Sequence, residues 1–209
     1  MSEVGIKIVT VGILETNCYI LADKEGAIGI VVDPGDEFER IASVIEEAGL
    51  NIQYIVNTHA HYDHIGADLE LKDRFGAQIL IHEADRDMLE DPRLNLSLKK
   101  PRITATGIKA DRLLKEGDIV TAEKIHLEVI HTPGHTPGSI CLLGEDYILT
   151  GDTLFAGSAG RTDLPGGSYK DIVESIQGKL KPLPDYLKVY PGHGLSSTMG
   201  EEKLNNPFL

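Results

Sequence analysis

Residues 58–68, THAHYDHIGAD, carry three histidines and two aspartates within eleven positions. Imidazoles and carboxylates this dense suit three kinds of site: one that holds a divalent cation, one that moves protons, and a polar loop with no chemistry. His59, His61 and Asp63 are spaced by two, so an extended segment points them the same way. A helix starting at His64 turns that residue to another side. The segment therefore offers two ligand sets, His59 with His61 and Asp63 with His64. The spacing differs from the helical zinc motif, in which two histidines four apart share a face. Asp63 also fits a plain helix N-cap before Ile65, and a single histidine is more often structural than a ligand. Three histidines within six residues at a strand end are much harder to read as structural.

Three other segments end a strand at a glycine-flanked polar residue: HTPGHTPGS with His135, LTGDTLF with Asp152, and YPGHG with His193. Glycine permits the tight turns and close backbone approach that such loops need. Imidazole nitrogens and carboxylate oxygens suit zinc and other borderline divalent ions. Five histidines and two aspartates are enough for two ions if one aspartate bridges. His82 and His126 read as structural, a strand-end residue and a surface strand residue; His131, in a strand or at its edge four residues before His135, reads as structural or as a support behind a ligand.

These positions need a scaffold that ends several strands at one place. GIKIVTVG, NCYILAD and IGIVVD read as successive strands, bounded by Gly and Asp. Residues 36–48 read as a helix with Asp36 as N-cap, an apolar stripe of Ile41, Val44, Ile45 and Ala48, and Gly49 as its stop. NIQYIVN is a strand that runs into the histidine cluster. A helix over 64–75 ends at Gly76, AQILIH is a strand, and 84–90 a short helix. Residues 91–111 have no period, and a loop of that length is usually functional. IVTA, IHLEVIH, SICLLG and YILTG follow as strands, then a helix at about 169–181 and a last strand in LKVYPGHG. Strands come first and helices after in each half, an order that two packed sheets with helices outside accommodate.

A chain of 209 residues can bury a large core. The net charge of −13, from 20 basic and 33 acidic residues, repels a phosphate backbone and counts against nucleic acid as a partner. No apolar run reaches membrane-span length, so no membrane partner is expected. Cys18 and Cys141 match no metal spacing and read as buried thiols of a reducing compartment. The N-terminus lacks a basic region followed by an apolar core, which argues against a signal peptide. The expected location is cytoplasmic.

In order and spacing, THAHYDH, HTPGHTPGS, TGDTLF and YPGH resemble the metallo-β-lactamase-fold hydrolases over residues 59–193, and VDPG at 32–35 resembles that family's early strand-end motif. Within the superfamily the chain looks most like glyoxalase II in its small single-domain bacterial form, a likeness that LFAGSAGRTDLPGGS and NNPFL support. The resemblance implies an α/β (α+β) fold: a four-layer αββα sandwich of two mixed sheets with helices outside. It implies one domain over residues 1–209, with no separate C-terminal helical domain. By the same resemblance, His59, His61 and His135 hold one divalent ion, Asp63, His64 and His193 hold a second, and Asp152 bridges them. Asp63 and Asp152 are then the carboxylates of the catalytic centre. Zinc is the leading metal, with iron or manganese as alternatives. Asp33 orients a ligand from behind the site, or else stabilises its own turn.

The activity so implied is hydrolysis of a small-molecule thioester by a hydroxide shared between the ions, with a 2-hydroxyacylglutathione such as S-lactoylglutathione as substrate. A thiolate leaves readily without strong acid help, since an ordinary cysteine thiol has a pKa of about 8.5. Larger glyoxalase II enzymes carry a helical extension that helps bind glutathione; here Arg161, in GSAGRTD, is the candidate cation for the substrate, with Tyr169 and Lys170 behind it. Lys99, Lys100 and Arg102 are the next place to look for an anchor. The alternatives are a glutathione persulfide dioxygenase with a single iron, which shares GRTD, and a hydrolase of the same fold acting on another ester, lactone or thioester. A zinc-stabilised binding module is disfavoured, because structural zinc sites are usually closed and often cysteine-rich.

Overall fold

A computed structural model describes residues 4–23, 25, 27–99 and 107–209. In β5 (Gln78–His82), Ile79 and Ile81 point to one face and Leu80 to the other, and all three are fully buried. A strand apolar on both faces must be covered on both faces. The same alternation places Val31 opposite Ile30 and Val32 in β3 (Ile28–Val32), and Ile148 opposite Leu149 in β10 (Tyr147–Gly151). Three apolar cores result, and three cores separate four layers.

The first sheet has the order β1-β2-β3-β4-β5-β6. Its remaining strands are β1 (Val4–Val11), β2 (Thr16–Asp23), β4 (Asn51–Val56) and β6 (Arg112–Leu114). β1, β2 and β3 pair antiparallel, and β3 to β6 run parallel. α1 (Phe38–Glu47), α2 (Tyr62–Ile65), α3 (Asp68–Phe75) and α4 (Arg86–Glu90) cover its outer face through Ile41, Ile45, Ile65, Leu71 and Leu89. The second sheet reads β14-β13-β10-β9-β8-β7. It comprises β7 (Ile119–Ala122), β8 (Ile125–His131), β9 (Ile140–Leu143), β10, β13 (Lys188–Pro191) and β14 (Ser197–Thr198), with β10 and β13 parallel. α5 (Tyr169–Ser175) and α6 (Met199–Asn205) cover its outer face through Ile172 and Met199. A hairpin of β11 (Leu154–Phe155) and β12 (Ser158–Ala159) follows β10. Between the sheets lie Tyr19, Leu21, Ile30, Val56, Leu80, Leu127, Val129, Leu142 and Leu149. Each large aliphatic side chain so buried contributes about 1.5–3 kcal/mol. This is the four-layer αββα sandwich expected from the sequence.

Several local expectations change. Asp36 does not cap α1: Glu37 takes the cap position at φ 51° with no side-chain cap bond, while Asp36 Oδ1 accepts from the Glu37 N–H at 2.7 Å. The helix expected over 64–75 is two helices. Pro34 O accepts the Ala67 N–H at 2.8 Å, replacing the bond that a continuous helix would make, and Gly66 packs so tightly on Gly35 O that a Cβ there would lie at 2.1 Å. The helix expected to 181 gives way after Ser175 to a π turn over Ile176–Leu180, which still buries Ile176 and Leu180. Residues 91–99 are turns that include a short 3-10 segment, Ser97–Lys99; Lys100 and Arg102 lie outside the described residues. Cys18 and Cys141 are free and buried. No helix among the described residues is long and apolar enough to cross a membrane.

Candidate metal centre

At one end of the sandwich the two sheets meet through hydrogen bonds as well as apolar contact. Asn17 of β2 donates its N–H to Gly192 O at 2.8 Å and its Nδ2 to Pro191 O and Gly194 O at 3.1 and 3.0 Å. Tyr19 Oη donates to Pro191 O at 2.6 Å. The loops carrying the sequence-predicted residues open from this seam. His59 and His61 follow β4, Asp63 and His64 lie in α2, His135 lies between β8 and β9, Asp152 follows β10, and His193 follows β13. Asp63 sits inside its helix, and His61 occupies the N-cap position without a side-chain bond, so Asp63 is not a cap.

All seven side chains converge. His59, His61 and His135 form one group of potential ligands, and Asp63, His64 and His193 another; within each, the ligand atoms lie within 4.8 Å of one another. Asp152 lies between them. Its Oδ1 is 3.4 Å from His64 Nε2, and its Oδ2 is 3.5 Å from His135 Nε2 and 3.6 Å from His193 Nε2. Within the groups, His61 Nδ1 stands 2.8 Å from His135 Nε2, and His64 Nε2 stands 3.3 Å from His193 Nε2.

The ring orientations follow from what each imidazole does at its other nitrogen. His135 donates Nδ1–H to Arg161 O at 2.8 Å, and His193 donates Nδ1–H to Leu14 O at 2.9 Å. A carbonyl can only accept, so Nδ1 carries a proton in both rings, and the neutral ring offers its lone pair at Nε2, which faces the site. His64 Nδ1 meets Asp33 Oδ2 at 3.0 Å, which likewise turns Nε2 toward the site. Asp33 is held in turn by the Thr58 N–H on Oδ1 and Thr58 Oγ1 on Oδ2, both at 2.7 Å. It sits buried at φ 52°, an unusual backbone state for a non-glycine residue.

The electrostatics are those of a cluster built around positive charge. Burial pushes the pKa of His59 well below its ordinary value, with the neighbouring imidazoles adding to the effect, and lowers His61 to about 3. Burial works against the charged form of His64 too, but Asp152, Asp33 and Asp63 overcome it and raise that pKa to about 10. Asp63 is held below the usual carboxylate range: burial opposes ionisation, but His64 and His193 outweigh it. His59 Nε2, His61 Nε2 and Asp152 Oδ1 are buried with no hydrogen-bond partner among protein atoms. Unsatisfied buried donors and acceptors are costly, and a divalent cation satisfies the acceptors among them. The donor set of imidazole and carboxylate fits zinc, iron or manganese. The site is open on one side: the side chains of His193, Asp63 and Asp152 are 25%, 14% and 11% exposed, whereas His59, His61, His64 and His135 are buried.

Other sequence candidates fall differently. The Arg161 guanidinium forms a two-pronged pair with Asp163, at 2.7 Å to each oxygen, on the exposed surface. It is the main-chain carbonyl of Arg161 that reaches the cluster. Tyr169 is exposed and edge-on to Phe208, and Lys170 pairs with Glu174. His82 and His131 stack on each other with centroids 3.9 Å apart and are in neither ligand group, and His126 is an exposed strand residue. Sequence reasoning missed Thr58, Asp85 and the carbonyls of Leu14 and Arg161. No residue pattern signals a carbonyl, and Asp85 stands alone in a short turn.

The metallo-beta-lactamase superfamily profile matches residues 11–193, a span that holds every residue of the cluster. The chain is 40% identical to hydroxyacylglutathione hydrolase GloC of Haemophilus influenzae, over 98% of each chain. The solved structure of BLEG-1, described as a B3 metallo-beta-lactamase, is 38% identical with a TM-score of 0.92, covering 98% of this chain and 99% of that one. The structure of TTHA1623 in a di-iron-bound form is 35% identical with a TM-score of 0.87, covering 97% and 100%. Four ligand-bearing loops gathered at one end of an αββα sandwich, matched along nearly the whole length by these proteins, leave one conclusion: the chain belongs to the metallo-β-lactamase superfamily.

Proposed function

We propose that this protein is a binuclear metallo-hydrolase that cleaves thioesters, with a 2-hydroxyacylglutathione such as S-lactoylglutathione as its substrate. The observation that carries the reading is the position of Asp152, whose carboxylate lies within 3.6 Å of His135 in the first group and of His64 and His193 in the second. In this reading His59, His61 and His135 hold one ion, Asp63, His64 and His193 hold the other, and Asp152 contributes to both. Divalent ions held there supply Lewis acidity, which polarises an acyl carbonyl and lowers the pKa of water.

The chain's own residues do the rest. Asp33, Leu14 O and Arg161 O hold three imidazoles in the tautomer that presents Nε2. The exposed edge formed by His193, Asp63 and Asp152 admits the acyl group. The departing thiolate needs no strong acid, since its pKa is about 8.5. Arg161, once released from Asp163, offers a cation to a substrate carboxylate in an otherwise acidic protein. Residues 1–209 act as one domain, because each ligand group draws on both sheets. Two free, buried thiols fit a reducing cytoplasm. The likeness to a hydroxyacylglutathione hydrolase supports the thioester, and the di-iron neighbour supports two ions with iron as an alternative to zinc.

The test is kcat/KM for S-lactoylglutathione beside metal analysis of the same sample. Turnover with two ions per chain is expected, and Asp152→Ala should lose nearly all of it together with one or both ions. Two ions and full activity in that variant would overturn the assignment. Oxygen consumption with glutathione persulfide and one iron per chain would establish the dioxygenase instead, and turnover of a β-lactam alone would move the substrate class.

A further inference from the structure

Asp85 belongs to a short helical turn, Glu83–Asp85, that supplies no residue to the histidine cluster, and it is fully buried. Its carboxylate takes three hydrogen bonds. Oδ2 accepts from the Ala60 N–H at 3.1 Å and from Thr136 Oγ1 at 2.7 Å, and Oδ1 accepts from the Gly138 N–H at 2.6 Å. Ala60 lies between His59 and His61. Thr136 and Gly138 follow His135. One side chain thus holds the loop that carries two histidines of the first group and the loop that carries the third, and these loops come from different sheets.

The surroundings are built to this carboxylate. A Cβ at position 138 would lie 2.5 Å from Asp85 N and 2.6 Å from Asp85 Oδ1, so only glycine fits there, which accounts for the second glycine of HTPGHTPGS. Thr136 is fixed further by Ser139, whose Oγ accepts the Thr136 N–H at 3.0 Å and lies 2.8 Å from Thr136 Oγ1. Asp33 has a comparable place on the other side: it meets His64 of the second group directly, and through Thr58, whose Oγ1 lies 3.2 Å from His59 Nδ1, it also reaches the loop of the first group.

We infer that Asp85 is a positioning residue for the ion held by His59, His61 and His135, clamping their two loops at the separation that ion requires, as Asp33 does for the ion at His64. The inference rests on the proposed ligand assignment. Removing groups that orient metal ligands typically costs ten- to a hundredfold in metal affinity. Asp85→Asn keeps the shape of the side chain but offers an NH2 where an oxygen stood, so at least one of the three donors loses its acceptor.

The experiment is zinc titration of the metal-free protein against a chromophoric chelator, which reads two affinities, together with the thermal midpoint of each metal-free variant. The parent should bind two ions. Asp85→Asn should weaken one of them ten- to a hundredfold and leave the other within about threefold. Asp33→Asn should weaken chiefly the other ion, through His64. In an Asp63→Ala background, which keeps the first group intact, the effect of Asp85→Asn should persist in full and that of Asp33→Asn should shrink to what Thr58 passes on to His59. Thr136→Val removes only one of the three donors and should show the same selectivity at smaller size, so it carries the test if Asp85→Asn folds poorly. Both affinities unchanged, or both falling in parallel with a lowered thermal midpoint, would overturn the inference and assign Asp85 to general stability. A parent that binds no ions would overturn the ligand assignment itself, an outcome separate from these.

Discussion

Gly192 offers a direct steric test of the Asp152 position. It lies between His193 and the end of β13, and a Cβ built there would stand 2.2 Å from Asp152 Oδ1 and 2.7 Å from His64 Cε1. The backbone cannot retreat, because the Gly192 N–H donates to Gly151 O at 2.8 Å and Gly192 O accepts from Asn17 N at 2.8 Å. In Gly192→Ala the carboxylate must therefore give way, by about 1 Å to reach ordinary contact distance. A misplacement of about 1 Å at a reacting centre costs about a hundredfold, or roughly 2.7 kcal/mol at 1.36 kcal/mol per decade. The loss in kcat/KM should persist with zinc in excess, since the carboxylate is displaced rather than weakened as a ligand. Thioester kinetics, metal content per chain and the metal-free thermal midpoint should be measured together. Gly178→Ala, where a Cβ meets nothing within 4 Å, is the control. Gly192→Ala with a full metal complement and kcat/KM within threefold of the parent would refute the reasoning.

Two further outcomes follow from charge. Arg161→Ala should lower kcat/KM about ten- to a hundredfold for a thioester bearing a carboxylate, the worth of a charged hydrogen bond of about 1.5–3 kcal/mol, and leave a neutral thioester unchanged. Asp163→Ala, which frees the guanidinium, should act in the opposite direction; equal losses for charged and neutral substrates would mean that Arg161 only shapes its loop. His82 has its pKa lowered to about 4, by burial first and then by the stacked His131. Between pH 6.5 and 4 the unfolded chain binds a proton that the folded one refuses, so stability falls as the pH drops through that window. Urea unfolding of the metal-free protein at pH 7 and 4.5 should show a smaller difference in His82→Asn than in the parent, and equal differences would count against the assignment.

The parts of this molecule that were legible in the sequence are those where a residue's identity is set by its own neighbours. Alternation in QILIH and IGIVV marks strands because both faces are covered. The ligand candidates stood out because imidazoles and carboxylates beside glycines have few other uses. What stayed hidden is set by distant partners. The break between α2 and α3 is imposed by Pro34 O, some thirty residues upstream. Asp85 acts on Gly138, 53 positions away, and leaves no local pattern. β6, β11, β12 and β14 are two or three residues long and exist by pairing rather than by period. One miss was avoidable: Thr198 and Glu201 form a reciprocal capping box at the start of α6, and T-x-x-E is its sequence signature.

The division of the cluster between the sheets gives any bound ion a second role, as a cross-link. His61 and His135 are 74 positions apart, and His64 and His193 are 129 apart. Closing the longer loop costs only about 0.5 kcal/mol more chain entropy than closing the shorter, because the cost grows with the logarithm of length. Both closures are therefore within reach of metal-binding free energy. Neither ligand group is complete until the chain has been synthesised past β8 in one case and β13 in the other. An ion at the first group would need the chain only as far as His135, whereas one at the second group would wait for nearly the whole sandwich. An ion bound to the folded state alone stabilises it by mass action, so chelation should loosen the seam between the sheets before it disturbs either apolar face.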